Sequence, residues 1–123
     1  MLVEGSVTGH ALVLGEPLSF WGGLDPNTGK IVETGHPQFG EIVTGRILVL
    51  PSGRGSSSSA TVLAEAIRVG TAPAGIVLAE PDEIIAIGAL AATELYGTTI
   101  PVLVASPDGY ATVRDGDQVS LLP

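Results

Sequence analysis

The chain has 123 residues, with 5 Lys plus Arg against 13 Asp plus Glu, no Cys and a hydrophobic fraction of 45 %. That length predicts one domain over residues 1–123, since domains commonly run to about 100–150 residues. Without cysteine the chain builds no disulfide framework, no thiolate zinc site and no iron–sulfur cluster on its own thiolates, and a formal charge of −8 without a basic cluster argues against a nucleic-acid partner.

The start of the chain shows neither the basic residues nor the apolar core of a signal peptide. Its longest apolar stretch, residues 84–92, is nine residues, where a membrane span needs about 20. The expectation is a cytoplasmic protein without a membrane partner. Only 15 % of the residues are charged and 17 are Gly, a sparse polar surface that points to apolar area meeting another chain.

In chain order, residues 2–7 and 10–14 read as strands separated by a Thr8-Gly9 turn. Residues 16–40 carry Pro17, Gly22, Gly23, Pro26, Gly29, Gly35, Pro37 and Gly40, so a long irregular segment is expected, with a short strand at 30–33. Residues 46–50, Arg-Ile-Leu-Val-Leu, form the near-continuous apolar run of a strand buried on both faces. After Pro51 comes Gly53-Arg54-Gly55-Ser56-Ser57-Ser58-Ser59, then a helix over 60–69 with Val62, Leu63, Ala66 and Ile67 at helical spacing and Gly70 as its stop. A strand at 75–79, a helix at 82–96 that starts at Pro81-Asp82 and stops at Gly97, and a strand at 101–105 complete a βαβα pattern with parallel pairing. The tail, 110–122, reads as an antiparallel hairpin turning at Asp115-Gly116.

The strongest candidate for chemistry is the Gly53-Arg54-Gly55-Ser56 loop. Glycines let the backbone approach a ligand closely, N–H groups opening the next helix favour an anion, and Arg54 offers a bidentate hold on a carboxylate or phosphate. The same composition suits a flexible linker, but a buried strand and an amphipathic helix flank it tightly. A serine here cannot act as a base unaided. Lowering its pKa by about five units requires roughly 7 kcal/mol, whereas a helix N-terminus supplies about 0.3–1 kcal/mol, or ~2 when partly buried; the missing stabilisation points to a partner.

Trp21, beside Gly22, Gly23 and Asp25, either walls a small-molecule pocket, anchors an interface, or pins the loop to its own core. His36, before Pro37, reads as a turn residue or, with the Trp21 group, as a pocket or interface residue; no second ligand lies at metal spacing, so no metal site is expected on this chain. Glu80, Asp82 and Glu83 read as macrodipole complementation at a helix start. Phosphate-loop and dinucleotide motifs are absent from the sequence.

The segments Glu16-Pro17-Leu18-Ser19-Phe20-Trp21-Gly22-Gly23-Leu24-Asp25-Pro26, His36-Pro37-Gln38-Phe39-Gly40, Gly45-Arg46, Gly53-Arg54-Gly55-Ser56-Ser57-Ser58-Ser59 and Gly70-Thr71-Ala72-Pro73 resemble, in that order, the small subunit of aconitase X. The resemblance implies an α/β fold: a swivelling β/β/α domain with a partly parallel central sheet, flanking helices and β-hairpins. It also implies a hydro-lyase that dehydrates a small hydroxy acid. The partner would be a large subunit, in a heterodimer or higher assembly, carrying the iron–sulfur cluster or iron. Carried over by position, the catalytic serine falls on Ser56, with Gly53, Arg54, Gly55 and Ser57 at the substrate and Arg54 on its carboxylate. The archaeal phosphomevalonate dehydratases read Thr-Val-Gly where this chain has Ser57-Ser58-Ser59, which favours the branch that converts cis-3-hydroxy-L-proline to a pyrroline carboxylate. The alternatives are the phosphomevalonate branch and a non-catalytic anion-binding or regulatory module on the same fold.

Overall fold

The structure is a computed structural model that describes residues 1–54 and 57–123. Its elements are β1 (Val7–Val13), the single turn α1 (Phe20–Gly23), β2 (Leu24–Asp25), β3 (Lys30–Ile31), β4 (Ile47–Leu50), α2 (Ser57–Val69), β5 (Gly75–Leu78), α3 (Glu83–Tyr96), β6 (Val102–Val104), α4 (Pro107–Thr112) and β7 (Gln118–Leu121). Five strands form one sheet in the order β6-β5-β4-β1-β7; β1, β4, β5 and β6 run parallel and β7 antiparallel to β1. The expected βαβα core is therefore present. Every residue of β4 and β5 is buried, which is why these strands carry no polar alternation.

The sheet is curled. Val3 bridges the outer side of β6 at Val102, while Val7, four residues later, already pairs with β7. Four residues reach at most about 14 Å, whereas the four strand spacings from Val3 to β1 in a flat sheet measure about 19 Å. The concave side holds a small core of Ala11, Ile47, Val49, Val77 and Leu121, against which Tyr110 of α4 packs. Gly75 sits where the curl is tightest, since a Cβ there would lie 2.8 Å from Leu121 Cδ1 and 3.0 Å from Val7 Cγ1. The larger core lies on the other face, beneath α2 and α3.

Helix α2 buries Ser59, Leu63, Ala66 and Ile67 along one stripe, and starts three residues before the expected 60. In α3 the Asp82 side chain accepts from the Ile85 N–H and Gly97 adopts a left-handed φ of 69°, the start and stop expected from sequence. The two helices touch at Gly88, where a Cβ would lie 2.8 Å from the Ala60 carbonyl oxygen.

Two local expectations fail. No turn divides residues 2–14: β1 runs straight through Thr8 and Gly9, and Gly9 is needed because a Cβ there would press within 3.2 Å of the Gly45 carbonyl oxygen. The tail is not a hairpin. Gly116 does turn the chain, at a φ of 86°, but β7 pairs with β1 from the opposite end of the sequence. Ahead of it stands α4, capped by Ser106 with Pro107 in its first turn, a start signal that was present in the sequence. Among the described residues no helix is long and apolar enough to cross a membrane.

Candidate active site

Gly55 and Ser56 lie outside the described residues, so the site is defined by what holds the chain on either side of them. After β4 the backbone at Gly53 runs beside Leu18, and the Arg54 N–H donates to the Leu18 carbonyl at 3.1 Å. The Gly53 N–H donates to Asp82 Oδ2 at 2.9 Å, while Asp82 Oδ1 accepts from Ile85 N–H at 3.1 Å. One carboxylate thus caps α3 and tethers the loop. A Cβ at 53 would stand 2.8 Å from Asp82 Oδ2 and 3.1 Å from Ile85 Cδ1, so any larger residue there would push the Asp82 carboxylate from its place.

On the far side, Ser59 is buried in the first turn of α2. Its hydroxyl donates to the Arg54 carbonyl at 3.4 Å and accepts from the Trp21 N–H at 3.2 Å. Ser57, the first residue of α2, is exposed.

The Arg54 side chain is half exposed, with NH2 3.5 Å from Glu16 Oε1 and NH1 3.8 Å from Glu33 Oε2. Both contacts are longer than the 2.7–2.9 Å of a charge-assisted hydrogen bond, so the guanidinium is bracketed rather than locked. Glu16 is itself held from behind. His36 Nδ1 accepts from the Gln38 N–H at 3.0 Å, which leaves the proton on Nε2 to donate to the Glu16 carbonyl at 3.2 Å. Gln38 Oε1 accepts from the Gly15 N–H at 2.9 Å. The buried His36 is a turn residue, as its place before Pro37 predicts, and reaches the site through Glu16 and, by its backbone N–H donating to the Glu33 carbonyl at 3.1 Å, through Glu33.

Trp21 does not pin its loop to the core. It is 64 % exposed, and Phe20, at 1 %, fills the core position. Trp21 (φ −70°, ψ 114°) and Gly22 (φ 78°, ψ −13°) have the central dihedrals of a type II turn, which requires a positive φ at the second residue and explains Gly22. The Trp21 carbonyl accepts from Ser19 Oγ at 2.9 Å. At Gly23 a Cβ would approach Leu18 Cδ1 to 3.0 Å and Glu33 Oε1 to 3.3 Å, so the missing side chain leaves room for Glu33 to face Arg54. Asp25 takes no part in this cluster; its Oδ1 accepts from the Asn27 N–H at 2.9 Å and shapes the β2–β3 turn.

Sequence reasoning missed the joint roles of Glu16, Glu33, Ser59 and Asp82. A serine on the buried stripe of a helix signals an unmet need for a hydrogen-bond partner, and that signal was available at Ser59. The cap at Asp82 was legible, but its second bond to Gly53 joins positions 29 residues apart and was not.

The described residues leave only a pocket of about 30 Å³ here, lined by Leu18, Phe20, Gly53, Arg54, Ser59 and Asp82. That holds one water molecule, whereas small-molecule sites run to about 300–1,000 Å³. Among the described residues no three His, Asp or Glu converge, and the sequence has no Cys. The donor set does not fit a metal ion or an iron–sulfur cluster.

The chain is similar to several known proteins. The chain is 48 % identical over 101 residues to a cis-3-hydroxy-L-proline dehydratase of Pseudomonas aeruginosa, a match that covers 82 % of this chain and 17 % of that protein. The chain thus spans about a sixth of that relative's length. It is 43 % identical over 122 residues to the phosphomevalonate dehydratase small subunit of Methanopyrus kandleri, covering 98 % of this chain and 86 % of the other. The crystal structure of Thermococcus kodakaraensis aconitase X in its holo-form superposes with a TM-score of 0.86 at 30 % identity, over 97 % of this chain and 85 % of that one. A sequence model of the aconitase X swivel domain matches residues 1–123, and the chain belongs to that family.

Proposed function

We propose that this chain is the loop-bearing small subunit of an aconitase X-type dehydratase, with cis-3-hydroxy-L-proline as substrate and Ser56 as the base. The observation that carries the reading is convergence. Three segments far apart in sequence, around Glu16–Trp21, His36–Gln38 and Gly53–Arg54, meet to hold both flanks of the loop in which Ser56 stands. That is a large investment of specific residues in a loop whose adjoining pocket, among the described residues, is about 30 Å³. It is consistent with a loop presented to a substrate held by another subunit.

In this reading Arg54 holds the substrate carboxylate, spreading the charge that builds up when the adjacent carbon loses its proton. Ser56 takes that proton. The electron pair forms the carbon–carbon double bond as the C–O bond at the neighbouring carbon breaks. The hydroxide takes up a proton and leaves as water, and the enamine rearranges to the pyrroline carboxylate. The binding pocket and any metal or iron–sulfur centre are assigned to the large subunit, since the pocket beside Gly53 and Arg54 is far below substrate size and no ligand set is found among this chain's described residues. Phosphomevalonate is the second reading, favoured by the longer alignment, 122 residues against 101.

The test is pyrroline carboxylate formation from cis-3-hydroxy-L-proline by this chain alone, by the large subunit encoded with it, and by the two mixed. Activity is expected only in the mixture. Ser56→Ala should lower kcat by about 10²–10⁴-fold, the usual worth of a positioned base, with subunit association unchanged. A folded mixture silent on this substrate but active on phosphomevalonate selects the second reading. Full activity of Ser56→Ala removes the base assignment.

A further inference from the structure

The structure leaves one helix face unexplained. Residues 84–92 make α3 apolar around its whole circumference, a pattern proper to a helix covered on all sides. Here only the side facing the sheet and α2 is buried, through Ile85, Gly88, Ala89 and Ala92. Ile87 is 56 % exposed and Leu95 70 %. Between α3 and α2 lies a groove of about 610 Å³ whose walls include Ser57, Ala60, Ile87, Ala91, Leu95 and Tyr96.

This groove reaches the first residue of α2. Ser57 stands at its end and directly follows Ser56 in sequence. The first turn of α2 thus has the groove on one flank. On the other stands Trp21, whose N–H is bonded to Ser59 and whose side chain is exposed. A partner that brings a substrate to Ser56 must cover that first turn, and it then meets apolar surface on both sides.

The charges on the exposed face of α3 beside the groove choose among occupants. Along the exposed face of α3, Glu83, Ile87, Leu90 and Glu94 follow at helical spacing, so the apolar stripe begins and ends on a carboxylate. Glu65 lines the opposite wall and is neutralised there by a bidentate contact with Arg68, at 2.6 and 2.9 Å, so the acidic border lies on the α3 side. A second copy of this chain is a poor fit. It would bring acid against acid, and of its 5 basic residues Arg46, Arg54 and Arg68 already face carboxylates of their own chain. An apolar ridge bordered by Lys or Arg fits.

We propose that the large subunit of the enzyme docks across this surface, an apolar ridge with basic borders lying in the α2–α3 groove and closing on Trp21. The proposal rests on the functional reading above and adds the face used. Trp21 is the chain's single tryptophan, so its fluorescence reports the contact directly. Titrating the large subunit into this chain should shift the emission to the blue. Ile87→Glu and Leu95→Glu, both at exposed positions and expected to leave folding unchanged, should each weaken association at least tenfold, and Trp21→Ala should weaken it similarly by calorimetry. Leu122→Glu, on the β7 edge, should leave it unchanged. Association that persists in both glutamate variants, with Trp21 emission unmoved, overturns the surface while leaving the functional reading intact. No association of the wild-type chain removes both. A homodimer that Ile87→Glu dissolves, and that the large subunit does not displace, assigns the groove to a second copy and overturns the proposal.

Discussion

Residues 46–104 and residues 14–45 are built on different physics. In the first region β4 and β5 are wholly buried and α2 and α3 lay apolar stripes over them. In the second, the regular pieces are one helical turn and two strands of two residues, and much of the path is held by side chains gripping backbone: His36 on Glu16, Gln38 on Gly15, Asp25 on Asn27, Thr44 on Thr71. The first region supplies stability through area, which many apolar residues provide interchangeably. The second supplies position, through groups whose donors and acceptors are specific. The candidate site forms where the second region reaches the first, at Leu18 beside Gly53 and Trp21 on Ser59.

The sharpest way to break this contrast is to damage each region once. Leu63 is fully buried between α2 and the sheet. Leu63→Ala should cost about 2–5 kcal/mol of unfolding free energy, the usual worth of a buried leucine including its cavity. Against a typical total of about 5–15 kcal/mol that is a large share, and it should appear in urea unfolding as one cooperative transition at a lower midpoint. A loss below about 1 kcal/mol, or two separate transitions, would mean that the helix layer is not the source of stability.

His36→Ala attacks the other region. It removes the partner of the part-buried Gln38 N–H and Glu16 carbonyl, two hydrogen bonds worth about 0.5–1.5 kcal/mol each. The expected loss of stability is smaller than for Leu63→Ala, whereas the loss of turnover in the mixed enzyme should be larger than for a core variant of equal stability, because Glu16 no longer stands fixed beside Arg54. Comparing kcat/KM at matched fraction folded decides it. Equal losses would mean that the pinning serves the fold alone.

The same contrast explains what the sequence disclosed. Apolar runs at 46–50 and 75–79 and the helical spacing of 60–69 and 82–96 report burial directly, so β4, β5, α2 and α3 were legible to within a few residues. The curl was not, because the pairing of β7 with β1 and of Val3 with β6 is set by the whole sheet and leaves no local period. At the site, Gly53 and Arg54 stood out by composition. Their holders did not: Asp82 looked like an ordinary helix start, and Glu16 and Glu33 like surface charge, since a side chain's partner across the fold carries no spacing signal. Trp21 was ambiguous in sequence, and its 64 % exposure decides against a role in the core.

Asp82 is where the two regions are tied, and a single atom change separates its tasks. The carboxylate uses Oδ1 for the α3 cap and Oδ2 for the Gly53 N–H. In Asp82→Asn one oxygen becomes an NH₂ group, which only donates, so one of the two N–H partners is lost. Asparagine is as good an N-cap as aspartate, and the cap sits at the rigid start of a helix, so Ile85 should keep its bond and Gly53 should lose one. The stability change should be the smallest of the three, about 0.5–1.5 kcal/mol. Amide hydrogen exchange resolves the outcome residue by residue: faster exchange at Gly53 with Ile85 still protected, together with weakened turnover, shows that the loop is held from α3. Faster exchange at Ile85 with Gly53 unchanged would show instead that the remaining oxygen stays with the loop and the cap is given up, and faster exchange at Gly53 with turnover unchanged would show that the Arg54–Leu18 bond holds the loop without Asp82.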